Sequence, residues 1–430
     1  MDILKSKFSI ILLINFTLLV LLISRFNRVF FLFEYGYEPL FLLNIIILTV
    51  GLFIRIVVDK KIKITLFEIL VYTLTVWLII SIIFNSSEHP INGLNFGGVF
   101  NIITPMLFVT LIYLWKDEVT LKHIINILGY MCIIAAIIGS SALITILFPD
   151  IMIKIFNWDT EEITRGTISP IKNGSFLSLF IIPSISLFIY YDKKNIRYIF
   201  LLCFIFILLG LIATGRRGSY FPVIIFIVIF FMIIILRNFT KKGLRKYFKY
   251  FVMVAFFFIV FSIYLINSGD VGRLFGQVDT QKDNIGRLTR MEPAIEFILE
   301  KPYMGDGIGN FYYRTNKRII SDVKSVHYNN WIQLSDPHNT YIMVAAESGI
   351  IGLLIFLLIL FYVLFKLKPH DIISLGILMG VCIFFLNCMV DTRMWKGLVR
   401  LDTVFWMFVG LGIIYNQKFK DRQKDKCKKT

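Results

Sequence analysis

A histidine and an asparagine, His338-Asn339, stand where a long polar stretch gives way to an almost unbroken apolar run, Thr340 to Phe365. An imidazole takes or gives a proton near neutral pH, so this residue suits acid–base work at a membrane surface. The stretch before it, residues 267–337, carries nine Lys and Arg, which suits an anionic, lipid-linked substrate. Inside the apolar run lies one acid, Glu347, followed by Gly349 and Gly352. Ionisable groups within a membrane helix are costly and are usually paired or functional. Glu347 and Asn339 are therefore candidates for positioning the histidine or a neighbouring helix. The two glycines would let such a neighbour pack closely. The bland alternative is a helix-capping Asn339 beside a structural His338.

Two arginine clusters could meet the anion. Thr214-Gly215-Arg216-Arg217-Gly218-Ser219 joins two apolar runs, and guanidinium groups bind phosphate bidentately. The competing reading is a short turn whose arginines snorkel to the interface. The second cluster, Gly286-Arg287-Leu288-Thr289-Arg290-Met291, leads into an amphipathic stretch. Met291, Ala294, Ile295, Ile298 and Leu299 recur at helical spacing, with Glu292, Glu296 and Glu300 opposite. Its alternative is a solvated helix start. Lys301-Pro302 ends the stretch, and Gly305-Asp306-Gly307-Ile308-Gly309-Asn310 reads as a sharp turn. That glycine run is no dinucleotide fingerprint, since no strand precedes it.

These residues must be positioned by membrane helices. Hydrophobic residues make up 57% of the chain and charged ones 17%, a balance outside the soluble range. Apolar runs near 8–24, 39–58, 65–84, 98–115, 121–148, 174–191, 198–213, 220–236, 250–266, 339–365, 372–390 and 398–416 predict about twelve spans. The expected fold is all-α and polytopic, with one large extracytoplasmic loop. Its parts are an N-terminal bundle of about nine helices (1–266), the loop (267–337), C-terminal helices (338–416) and a basic tail (417–430). The first run lacks a small-residue cleavage site and is expected to stay as an anchor. More than half of the 45 Lys and Arg fall in one set of connections, which include Lys60, Lys193, Lys366 and Lys418. By the positive-inside rule both termini are then cytoplasmic and the loop faces outward.

The net charge of +17 follows largely from that bias, and no basic stripe interleaves with aromatics, so nucleic acid is not an expected partner. Anionic membrane lipids are. Cys132, Cys203, Cys382, Cys388 and Cys427 show no metal or disulfide spacing. No repeat of hydropathy relates two halves, which speaks against a rocking carrier.

Taken together, the motifs resemble those of the O-antigen ligase/polymerase family of bacterial envelope glycosyltransferases. That family has a His-Asn-like pair, nine spacers, Gly, two spacers and Gly, matched by His338-Asn339, Gly349 and Gly352. Thr214 to Gly218 is similar to its outer Thr-x-Ser-Arg-Gly turn, with Arg216 where Ser is common. Gly286-Arg287 and Pro302 to Gly307 resemble its Gly-Arg-x-x-x-Trp and Pro-x-x-Gly-x-Gly segments, with Met291 in place of Trp.

The resemblance implies a GT-C-like fold and glycan transfer from an undecaprenyl-diphosphate carrier, without metal, nucleotide or other cofactor. His338 and Arg287 would be catalytic, with Arg217, Arg216 and Arg290 at the donor diphosphate and Asn339 and Glu347 behind them. Expected partners are the lipid-linked glycan, an acceptor glycan or lipid A core, a chain-length regulator and a flippase, at the cytoplasmic membrane. The main expectation is a polymerase that joins lipid-linked repeats into O-antigen, capsule or exopolysaccharide. It is favoured by a composition rich in Phe, Ile, Lys and Asn, as in low-GC bacterial genomes. A ligase that hands the finished glycan to another acceptor is the alternative, and a lipid-oligosaccharide flippase is the rival of another class.

Overall fold

A computed structural model describes residues 65–86, 93–114, 116–117, 119–148, 174–214, 217–237, 252, 291–311, 314, 337–390, 395 and 399–429. Among them are nine longer helices: α1 Leu66–Phe84, α2 Gly93–Leu114, α3 Leu121–Leu147, α4 Gly174–Tyr190, α5 Lys194–Ala213, α6 Arg217–Arg237, α8 Thr340–Lys366, α9 Ile372–Asn387 and α10 Val399–Lys429. A tenth, α7, spans 291–300.

The expectation of about twelve membrane spans is corrected. Among the described residues, four helices are long and apolar enough to cross a bilayer: Leu66–Phe84, Leu121–Ile144, Lys194–Ala213 and Thr340–Lys366. Three more, Gly174–Tyr190, Phe221–Arg237 and Ile372–Asn387, are apolar but shorter. The expected runs at 8–24, 39–58 and 250–266 lie outside the described residues, save Val252. Helix α4 shows where the counts part: at 17 residues it is apolar but short, and every residue from Gly174 to Ile189 is buried. A helix apolar all round is wrapped by protein as readily as by lipid, and hydropathy does not tell the two apart.

Helix α4 is the centre of the bundle, packed by α3, α5, α6 and α9. Small and hydroxyl residues allow that closeness. Ser178 and Ser186 return their hydroxyl protons to carbonyls of their own helix, at Ser175 and Ile182, and Asn387 of α9 donates to Ser178 Oγ at 2.6 Å. Where α3 crosses α5, a Cβ on Gly210 would stand 2.2 Å from Gly139 Cα, so both positions admit only glycine. On the other side α1 packs on α2 and α8, and α10 packs on α2.

One end of the bundle holds Lys193, Lys194, Lys366 and Lys368, in the α4–α5 and α8–α9 connections. The opposite end holds the start of α8, the finish of α9 and the start of α6.

Candidate functional site

The His338 end is built around the first turn of α8. Asn339 is its N-cap, and Asn339 Oδ1 accepts from the backbone N–H groups of Tyr341 and Ile342 at 3.0 and 3.1 Å. His338, half-buried, has φ of 49° and is the one non-glycine residue with positive φ among those described. Such a conformation is uncommon outside glycine and costs roughly 1–2 kcal/mol. The α8 start is tied to the end of α9: Thr340 N–H donates to Cys388 O at 2.8 Å, and the Tyr341 hydroxyl to Phe385 O at 3.0 Å. Phe385 is in the last turn of α9 and Cys388 is its C-cap, where acceptors lack helical partners.

The first turn of α6 meets the same place. A Cβ on Gly218 would lie 2.6 Å from Val390 Cγ2, two residues beyond Cys388. Arg217 opens α6, one residue before the glycine that meets Val390. Arg216, Arg287 and Arg290 lie outside the described residues.

Two turns along α8, Glu347 is buried at 2% exposure. Its carboxylate accepts from Trp395 Nε1 at 2.7 Å and from the backbone N–H of Gly309 at 3.0 Å. It thus joins α8 to the glycine-rich turn and to the α9–α10 connection.

That turn docks into a break in α8. Gly349 has φ 68° and ψ −178°, a conformation essentially restricted to glycine. The break strips Ala346, Glu347 and Ser348 of their helical donors, and three replacements arrive. Asp306 N–H bonds to Ala346 O and Gly307 N–H to Glu347 O, each at 2.9 Å, while Trp77 Nε1 bonds to Ser348 O at 2.8 Å. Beyond the break, Ile350 N–H donates to Pro302 O at 2.8 Å. Buried polar backbone is fully accounted for there. From α1, Ser81 Oγ donates to Met304 O at 2.7 Å and Asn85 Nδ2 to Gly305 O at 3.0 Å.

Charge closes the turn from the other side. Asp306 is wholly buried and accepts from Arg314 Nη1 through both oxygens, at 2.9 and 3.0 Å. Lys301 stands 3.5 Å from it and donates to Asn85 Oδ1 at 2.7 Å. Arg314 also pairs with Glu300 and lies over the Phe297 ring at 4.3 Å. Removing the carboxylate would leave two cations beside a buried site, which costs about 3–5 kcal/mol when the pair is fully dry. Arg314 and Lys301 keep 22% and 21% of their side chains in solvent, so Asp306→Ala should cost about 2–3 kcal/mol. Thermal unfolding of the purified variant in detergent measures it.

Two sequence expectations change in meaning. Gly352 does allow close approach, since a Cβ there would stand 3.1 Å from the Trp77 ring and 2.1 Å from Ser348 Oγ. Gly349 breaks the helix instead. On α7, Ala294 and Phe297 are buried and Ile298 packs on the core, whereas Ile295 and Leu299 of the expected apolar face remain exposed.

Residues 202–357 match the family model described as O-antigen ligase. The chain therefore carries an O-antigen ligase domain. It runs from α5 through Leu357 of α8, and so contains both arginine clusters, the docked turn, His338, Glu347 and Gly349. No curated protein matches the chain. The O-antigen ligase domain is completed by residues outside it: Trp77, Ser81 and Asn85 of α1 and Trp395 all hold its turn or its break. Sequence reasoning missed these four, together with Asp306 and Arg314. A buried acid and a glycine inside a membrane helix call for distant donors, but nothing in the spacing says where the donors lie.

The domain and the four apolar spans make the chain a multi-pass membrane protein with a role in glycan ligation or polymerisation. The family description sides with the ligase alternative over the polymerase that composition favoured.

Proposed function

We propose that the protein is a glycosyltransferase that moves a glycan from a polyprenyl diphosphate to an acceptor hydroxyl, acting as a ligase. The observation that carries this is His338 itself, an imidazole held in a strained backbone conformation at the start of α8, inside the O-antigen ligase domain. Strain of that kind persists where the surroundings over-determine it, and it clusters at functional sites.

In this reading the acceptor oxygen attacks the anomeric carbon, and its proton passes to His338. The bond from that carbon to the diphosphate oxygen breaks, and the electron pair leaves with the diphosphate. A diphosphate needs no general acid near pH 7, but its growing charge needs fixed cations. Arg217 and Arg287 supply them, with Arg216 and Arg290 as further diphosphate contacts. The displacement is direct and inverts the anomeric configuration. Asn339 fixes the turn that presents His338, and Glu347 holds the glycine-rich turn against α8. No metal takes part. The lysine-bearing end of the bundle faces the cytoplasm by the positive-inside rule, which puts His338 on the outer side.

Purified protein mixed with a polyprenyl-diphosphate glycan and acceptor should release free polyprenyl diphosphate and yield a product of inverted configuration. Arg217→Ala and Arg287→Ala should each lower this rate about 10²–10³-fold, as loss of a transition-state charge partner does. A retained configuration, or wild-type rates from both variants, would overturn the reading. The polymerase reading keeps the support of composition, and deleting the gene separates the two. Loss of a ligase strands long chains on the carrier, whereas loss of a polymerase leaves single repeats attached to the acceptor.

A further inference from the structure

The helix α7 has more apolar surface than the protein covers. At about 100° per residue, Ala294 and Phe297 point into the core, Glu292, Glu296 and Glu300 form an acidic side, and Ile295 and Leu299 lie between them. Leu299 is 75% exposed, and Tyr303, just past the helix, is 67% exposed. A soluble helix in this position would carry polar residues there.

The level of this strip is fixed by its neighbours. Pro302 accepts from Ile350 N–H, and from Ile350 onward α8 exposes Leu354, Leu358, Phe361 and Phe365, the stripe of a membrane span turned to lipid. From Ile350 to Lys366 that span is about 26 Å long, close to the ~30 Å hydrocarbon core. Helix α1, the adjacent span, finishes at Phe84, and its C-cap Asn85 donates to Gly305 O. The exposed stripe of α8 begins, and α1 finishes, at the turn that follows α7.

We propose that α7 lies along the membrane boundary at the His338 end, with Ile295, Leu299 and Tyr303 inserted among the lipid headgroups and first acyl carbons. The occupant of the strip is bilayer lipid, continuous with the lipid contact of α8. One side of α7 meets protein, the second lipid and the third water, where Glu292 and Glu300 are exposed. Tyrosine suits that level, being apolar along its ring and polar at its tip. The placement holds or fails independently of glycan transfer, because its test needs no substrate.

The test uses the full chain in liposomes, with Cys427→Ser removing the exposed thiol. Nitroxide labels go on Leu299→Cys and Tyr303→Cys, with Leu358→Cys as a lipid reference and Lys424→Cys as a water reference. Relaxation by oxygen against relaxation by a water-soluble nickel chelate reads depth. Labels at 299 and 303 should favour oxygen several-fold more than the label at 424, and less than the one at 358. Nickel-dominated relaxation at both positions would mean that the strip faces water. Labels shielded from both reagents would mean that protein covers it. Either result overturns the placement. Ile295→Cys serves as a second site if one labelled variant fails to fold, and is expected to read as 299 does.

Discussion

Replacing His338 with asparagine is expected to lower glycan transfer about 10²–10⁴-fold, the usual worth of a general base, while leaving thermal stability unchanged. The choice of residue matters. His338 has φ of 49°, and asparagine accepts that conformation better than most side chains do. Glycine accepts it best, so His338→Gly should match or exceed the wild-type melting temperature and be equally inactive. Alanine would confound the two roles, because it removes the imidazole and still strains the turn. If the histidine only shaped the start of α8, the asparagine and glycine variants would transfer glycan normally. Initial rates on a lipid-linked donor, measured beside melting curves in detergent, separate these outcomes.

How far the sequence foretold this site depends on what each residue contacts. His338-Asn339 was legible because a polar pair at the head of an apolar run has to be a cap, a site or both. Glu347 was legible because a lone acid among apolar residues demands partners. Its partners were not, since Gly309 and Trp395 are brought to it only by the fold. Helices occur at many of the apolar runs, yet the number of spans did not follow from them. Helix α4, sealed on every side by protein, is as apolar as the lipid-facing part of α8. The exposed strip on α7 was visible as an apolar face, but its division between core and surface was not. That division depends on Phe297, which carries the contact with Phe311 and Arg314 and fell outside the expected face.

Gly349→Ala should damage the protein more than any other single methyl group added to α8. With φ 68° and ψ −178°, the residue occupies a region that costs an L-amino acid about 1–3 kcal/mol even in open space. The space is not open, for a Cβ would stand 2.1 Å from Tyr303 O and 2.7 Å from Met304 N. Relief requires the turn to retreat from α8. Retreat would break the bonds from Asp306 and Gly307 to the carbonyls of Ala346 and Glu347, and the bond from Ile350 to Pro302 O. Each buried backbone group left without a partner costs about 1–3 kcal/mol. The alternative is for α8 to straighten through position 349, which alanine favours intrinsically. That would recover helical hydrogen bonds but would swing the segment carrying His338 away from α9 and abandon the bond from Thr340 to Cys388 O. Both routes predict a variant that inserts in the membrane, loses thermal stability and transfers no glycan. Either route frees the turn from the carbonyls of Ala346 and Glu347, so trypsin should cut faster after Arg314 than it does in the wild type. Wild-type stability and activity in Gly349→Ala would show that the break is not needed, and with it the docking of the turn would lose its role.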